Sequence, residues 1–488
     1  MTDKPQDNYK ILKTGISWSA FERFAVQGMQ FVVFVFMARV LSPTDYGLVG
    51  MLAFFIVISQ LIAEGGLSQA IIRKLDRDEA DLSTSFYVNI AGGAILYLLL
   101  FAIAPLVSEF YGEPRLTGLL RVMALCIPIQ SSLVVHRAVL TSRLDFKTQA
   151  KSTFVGTLTS GFAGIYMAYN GYGAWSIVCL QLTNQVFTAI TLWLVTQWRP
   201  KLLFSTYAFR RLYGFGSKLL MSKVVDCLYN SFYVLAIGKV FSAYALGCYT
   251  NARQLGSIAS ENLTRIVNRA AFPMFCGYQD DSRKLCGMVS EYIRLSMFFI
   301  APLMMGIAAL AVPLTTALIG HQWLYTARLL RILCLYFLLF PLNSINFMIL
   351  EIYGKGGLYL KLQIANIAVG LSLLAVTIPF GLSAVCVGLL GGTALNFAIN
   401  AHLSGRHIGL GLLRQCRLIL PTLIIAALMA TAAFSVQLVA AGEWLQVGLG
   451  IAICLLTYGG LSMIFQTRVC VSVFNLLKSR HPLCNAQS

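Results

Sequence analysis

The sequence predicts an all-α polytopic membrane protein of about fourteen transmembrane helices, as two parallel six-helix lobes plus two C-terminal helices. Three observations carry that prediction: the apolar composition, the confinement of basic residues to every second loop, and an internal echo at an offset of about 200 residues. The 488 residues are 58% hydrophobic and only 11% charged, with a mean hydropathy of +0.74. A soluble domain carries about 25% charged residues. The polar start, Met1 to Lys13, lacks the features of a secretory signal, so the first apolar run is expected to be a retained span.

Apolar runs of about 20 residues, enough to cross a bilayer, follow one another along the chain. They lie near 15–40, 46–71, 83–107, 117–139, 150–169, 173–197, 213–240, 246–272, 285–311, 323–351, 360–380, 383–403, 416–440 and 444–465. Turn signals separate them, among them Ser42-Pro43-Thr44-Asp45, Gly112-Glu113-Pro114, Asn170-Gly171-Tyr172-Gly173 and Gly354-Lys355-Gly356-Gly357. Alternate loops are basic: Arg73, Lys74 and Arg77; Arg137 to Lys151; Arg199 to Arg211; Arg283 and Lys284; Lys355 and Lys361; Arg406 to Arg417. The other loops hold Arg115 and little else. Lys and Arg collect on the cytoplasmic side, so both termini are expected there. Most of the net charge of +18 then reports topology, and nucleic acid is not an expected partner.

The echo defines the lobes. Ala38-Arg39-Val40-Leu41-Ser42-Pro43-Thr44-Asp45-Tyr46-Gly47 recurs as Gly238-Lys239-Val240-Phe241-Ser242-Ala243-Tyr244-Ala245-Leu246-Gly247. Later matches, Arg143 with Lys355 and Gly171 with Gly381, keep nearly the same offset. A unit of six spans returns the chain to its starting side, so the copies are parallel. The expected domains are 1–204, 205–412 and, for the two extra spans and tail, 413–488.

Charges inside spans are costly, roughly 2.5–3.5 kcal/mol at a helix centre, and usually face a bundle interior or water. The first span carries Glu22 and Arg23, and the second carries Glu64 just before Gly65-Gly66. The seventh carries Lys218, Lys223 and Asp226. In the eighth, Arg253, Ser257, Glu261, Thr264, Arg265, Asn268 and Arg269 recur at steps of three and four, on one helical face. One reading is structural pairing: Asp226 with Lys223, Glu261 with Arg265, Glu22 with Arg23. The other is a mainly cationic cavity between the lobes. There Arg23, Lys218, Lys223, Arg253, Arg265 and Arg269 would bind an anionic substrate such as a pyrophosphate. Glu22, Glu64, Asp226 and Glu261 would be the ion-coupling or cavity acids. His136, Arg121, Arg328 and Arg331 read as interfacial residues, and the charged stretch Asp76-Arg77-Asp78, with Glu79 and Asp81, as a solvated loop.

Several chemistries lack their residues. There is no phosphate-binding Gly-x4-Gly-Lys-Ser/Thr loop and no HExxH. The twelve Cys are scattered and form no CxxC pair. No catalytic residue, metal or cofactor is expected. The short loops opposite the basic ones leave no room for a glycosyltransferase domain, so an enzyme is disfavoured.

Gly15-Ile16-Ser17-Trp18-Ser19, the Ala38–Gly47 stretch, Glu64-Gly65-Gly66-Leu67-Ser68-Gln69-Ala70, the Arg137–Lys151 region and Ile349-Leu350-Glu351-Ile352-Tyr353-Gly354-Lys355 together resemble the Wzx-type polysaccharide and O-antigen flippases. These form a branch of the multidrug/oligosaccharidyl-lipid/polysaccharide superfamily, and the likeness is greatest to its colanic acid exporters. The resemblance implies an undecaprenyl-pyrophosphate-linked oligosaccharide as substrate. It implies alternating access through a central cavity and export for capsule, exopolysaccharide or O-antigen synthesis. Na+ or H+ coupling, membrane lipids and the polysaccharide polymerase machinery are the associated expectations. A cation-coupled multidrug-type antiporter and a peptidoglycan-precursor flippase are the alternatives; the excess of buried bases counts against a cationic drug.

Overall fold

The computed structural model describes residues 26–74, 76–143, 145–438 and 442–465; on two long helices a few side chains are left out. All regular structure among these residues is helical. The packing divides the chain into two compact units, Met1–Gly247 and Cys248–Ser488.

The first unit begins with α1 (Val26–Val40). It continues with α2 (Pro43–Glu64), α3 (Leu67–Arg73), α4 (Glu79–Tyr111), α5 (Arg115–Met123), α6 (Cys126–Ser142), α7 (Phe146–Tyr169), α8 (Ala174–Val195) and α9 (Thr206–Val240). The helix α10 (Ala243–Cys276) starts in this unit and runs into the second. The second unit continues with α11 (Ser282–Ala309), α12 (Ala311–Ile319), α13 (Leu324–Leu338), α14 (Phe340–Ile352), α15 (Gly356–Thr377), α16 (Leu382–Ile408), α17 (Leu412–Phe434) and α18 (Glu443–Phe465).

Ten helical segments among the described residues are long and apolar enough to cross a membrane, which makes this a multi-pass membrane protein. The expected number of fourteen is not reached by that measure. The helix α1 is described only from Val26, α7 is rich in Thr, Ser and Gly, and α9 and α10 carry the charges singled out above. The packing boundary also differs from the repeat boundary. By repetition α9 heads the second copy, but it packs along α2, α3 and α4, so it groups with the first unit.

The echoed motif has a local cause. Ser42 caps α2 in a reciprocal box: its Oγ accepts from the Asp45 N–H at 3.3 Å, and the Asp45 carboxylate accepts from the Ser42 N–H at 3.0 Å. Ser242 does the same work on α10, its Oγ accepting from the Ala245 N–H at 3.1 Å. Gly47 and Gly247 follow one turn later and meet. A Cβ on Gly47 would overlap the Ala243 carbonyl oxygen, and one on Gly247 would overlap that of Pro43.

Candidate functional site

In the first unit the second span does not run straight through. Gly65 and Gly66 take φ of +58° and +70°, a left-handed pair that ends α2 at Glu64 and starts α3 at Leu67. Residues with a Cβ resist that conformation. The break also lets α9 approach: a Cβ on Gly66 would overlap the Gly216 backbone. Lys223, two turns further along α9, places its Nζ 4.0 Å from Glu64 Oε1, with the two side chains 33% and 23% exposed. Arg137 of α6 is within electrostatic reach of the same carboxylate. A part-exposed pair at that distance adds at most about 1 kcal/mol to stability, so it is poorly explained as a structural bolt.

In the second unit the polar face of α10 divides into two parts. Its C-terminal part is tied to neighbours. The Ser260 hydroxyl donates to the Phe337 carbonyl at 2.7 Å, and the Asn268 amide donates to Ser344 Oγ at 2.7 Å and accepts from the Tyr292 hydroxyl. Glu261 pairs with Arg265 one turn on, at 2.7 Å, and Arg265 is 62% exposed. Arg253 is different. Half-buried, it is bracketed by the phenols of Tyr249 on α10, with which it is hydrogen-bonded, and Tyr336 on α13. Neutral phenols orient a guanidinium without cancelling its charge; Glu261, two turns along α10, also acts on it electrostatically but is itself paired with Arg265, which leaves a planar donor fork for an anion.

Asp81 was read as part of a solvated loop, and that reading is corrected. Its side chain is 1% exposed and is clamped by Lys74 and, at 2.9 Å, by Arg211 of α9. Asp78, just before it, caps α4 by accepting from the Asp81 N–H at 2.8 Å. Nearby, the Lys201 N–H donates to Ser83 Oγ at 3.1 Å and the Ser205 N–H to Thr84 Oγ1 at 2.9 Å. The start of α4 thus staples the α8–α9 connection. His136 is likewise not interfacial. It is fully buried among Phe86, Trp193 and Trp198, with Nδ1 3.1 Å from the Ser132 carbonyl. Among the described residues no group of three or more His, Cys, Asp or Glu gathers as metal ligands.

The model of the polysaccharide biosynthesis protein family matches residues 36–328 of this chain. The lipopolysaccharide biosynthesis protein WzxC of Escherichia coli (strain K12) is 22% identical over 325 residues, 66% of each chain. The chain belongs to this family, among its Wzx-type flippases. The teichuronic acid biosynthesis protein TuaB of Bacillus subtilis (strain 168) is 26% identical over 433 residues, 88% of this chain and 89% of that one. Among solved structures, the lipid II flippase MurJ in an inward closed conformation aligns with a TM-score of 0.73 at 13% identity, over 93% of this chain and 99% of that one. At that identity the likeness concerns the fold alone.

Of the site residues expected in this flippase, Lys223 and Glu64 come together in the first unit, and Glu261, Arg265 and Arg253 share α10 in the second. Glu22 and Arg23 lie outside the described residues. Lys218, Asp226 and Arg269 fall on α9 and α10, and their side chains are outside the description. The expected pairing of Glu261 with Arg265 is present. Lys223 has Glu64 for a partner, a pairing that spacing along α9 had no means to show. Tyr249 and Tyr336 were missed altogether, because aromatic residues in spans are common and carry no local signal of what they bracket.

Proposed function

We propose that this flippase moves an undecaprenyl-pyrophosphate-linked oligosaccharide across the bacterial inner membrane by alternating access, for exopolysaccharide, capsule or O-antigen synthesis. The observation that carries the reading is Arg253 beside the phenols of Tyr249 and Tyr336: a half-buried guanidinium whose charge is offset in part by Glu261, an acid already paired with Arg265. Such a group is expensive inside a membrane protein unless it is paired or faces a water-filled cavity, and a pyrophosphate accepts a bidentate fork. In the first unit, Lys223, loosely held by Glu64, is a separate candidate cation for the substrate. The lipid tail stays in the bilayer throughout, and no covalent bond is made or broken. Glu64 is proposed as the carboxylate through which a Na+ or H+ gradient acts: binding a cation there would weaken its hold on Lys223. The basic loops at one end support cytoplasmic termini. Transfer of the glycan to a polymerase on the far side is part of the same proposal.

The test is a deletion strain. It is expected to lose a surface polysaccharide and to accumulate lipid-linked repeat units that remain inaccessible to a membrane-impermeant glycosidase. Normal surface polysaccharide with no such accumulation overturns the reading.

A further inference from the structure

A cavity of about 670 Å³ opens in the first unit at the end opposite the basic loops. It is built from three connections: the start of α2, the start of α5, and the loop that enters α8. Asp45, Arg115, Gly118, Tyr172, Gly173 and Trp175 contribute to its wall. Its volume lies within the roughly 300–1,000 Å³ of small-molecule sites.

The lining sets aromatic side chains beside one acid and one base. Tyr172 and Trp175 are 56% and 40% exposed, so two aromatic faces are on offer. The Trp175 ring packs over Gly118 on α5, whose missing Cβ would stand 3.4 Å from Cζ2. Gly171 and Gly173 take φ of +79° and +54°, which shapes the loop. A Cβ on Gly173 would stand 2.8 Å from Asp45 Oδ1, so glycine lets the loop close down on that carboxylate.

The hydrogen-bonding groups are uncommitted. Asp45 uses Oδ2 to accept from the Ser42 hydroxyl at 2.7 Å and the Ser42 N–H at 3.0 Å, which leaves Oδ1 open. Among the described residues the Arg115 guanidinium, the Tyr172 hydroxyl and the Trp175 indole N–H make no side-chain hydrogen bond or ion pair. One cation and one anion balance, which does not favour a phosphate. Apolar ring faces beside an acceptor carboxylate and a donor fork suit a ligand with C–H faces and hydroxyl edges, that is, a sugar ring.

We propose that this cavity is a glycan subsite on the far side of the membrane, where sugar residues of the substrate rest after crossing. It rests on the flippase reading and on the orientation proposed with it. Trp175 and Tyr172 stack on the ring faces, Asp45 Oδ1 accepts from a sugar hydroxyl, and Arg115 donates to hydroxyl or ring oxygens. Aromatic residues that only anchor the protein at the membrane interface would have no bearing on sugar binding.

The probe is the set of short oligosaccharides released by mild acid from the polysaccharide that the deletion strain loses. The full-length protein in nanodiscs is titrated with them by saturation-transfer NMR. Saturable binding is expected, weakened about tenfold or more in Trp175→Ala and in Arg115→Ala, with unchanged thermal unfolding. Inorganic pyrophosphate is expected not to compete. Absence of saturable binding overturns the proposal, as does binding unchanged in both variants or displaced by pyrophosphate. If deletion costs no polysaccharide, the flippase reading has failed. If it does and the protein ignores the sugars, only the subsite has failed.

Discussion

Gly47 on α2 and Gly247 on α10 lie back to back: a Cβ on Gly247 would stand 3.0 Å from the Gly47 nitrogen and overlap the Pro43 carbonyl oxygen. The reverse also holds, since a Cβ on Gly47 would overlap Ala243. The two copies of the echoed motif thus meet where neither tolerates a side chain, each just inside a helix whose first turn is capped by the motif's own serine.

Alanine at either glycine is expected to force the two helix starts apart. Overpacking of this kind costs about 1–3 kcal/mol, and here the obstacle is backbone, so the upper end or beyond is expected. Gly214→Ala on α9, where nothing lies within 4 Å, is the control and is expected to be neutral or slightly stabilising. Thermal unfolding in detergent, followed by fluorescence-detected gel filtration, reads both. Equal stability of Gly47→Ala and Gly214→Ala would contradict the close crossing.

Removing the buried acid at the start of α4 leaves Lys74 and Arg211 facing each other without it. Asp81→Asn is expected to lower the unfolding midpoint by several degrees, because breaking a buried pair leaves charge uncompensated. Arg211→Ala is expected to matter less, since Arg211 is 40% exposed. The same gel-filtration melt checks the order.

Deep in the second unit, Asn346 of α14 donates to the Gln415 side-chain oxygen at 3.1 Å and accepts from the Gln415 amide at 2.9 Å and the Ser404 hydroxyl at 2.6 Å. Asn346→Leu strands both partners and is expected to cost about 1–3 kcal/mol for each buried group left unsatisfied. The triple change to Asn346→Leu, Gln415→Leu and Ser404→Ala should recover much of that loss. A triple variant no more stable than the single one would argue against a closed network.

Replacing Lys223 and Arg253 together by Ala is expected to abolish surface polysaccharide while the protein remains in the membrane fraction at its usual level. Unimpaired export in cells that express the double variant would remove the cationic site from the mechanism.

A reporter fused after Thr467 is expected to be active only in the cytoplasmic form, as an even number of crossings requires. A periplasmic signal would break the fourteen-span count.

Much was legible along the chain because it depends on neighbours in sequence. Apolar run lengths announced the spans, turn signals such as Ser42-Pro43-Thr44-Asp45 separated them, and steps of three and four aligned Arg253 with Glu261 and Arg265 on one face of α10. The Glu261–Arg265 pair followed from helical pitch alone. The Gly65-Gly66 break was visible as a dipeptide, though not its left-handed geometry.

The tertiary structure decided what lies across from what. It gave Lys223 to Glu64, buried Asp81 between Lys74 and Arg211, enclosed His136 among aromatic rings, set Tyr249 and Tyr336 about Arg253, and assigned α9 to the first unit. It also turned the echo from a sign of duplication into a contact, Gly47 on Gly247. The physical reason is the same in each case. Helical periodicity and hydropathy report which face of a segment is polar, whereas the partner of that face depends on how distant helices pack, and packing is settled by shape and close approach that no local pattern encodes.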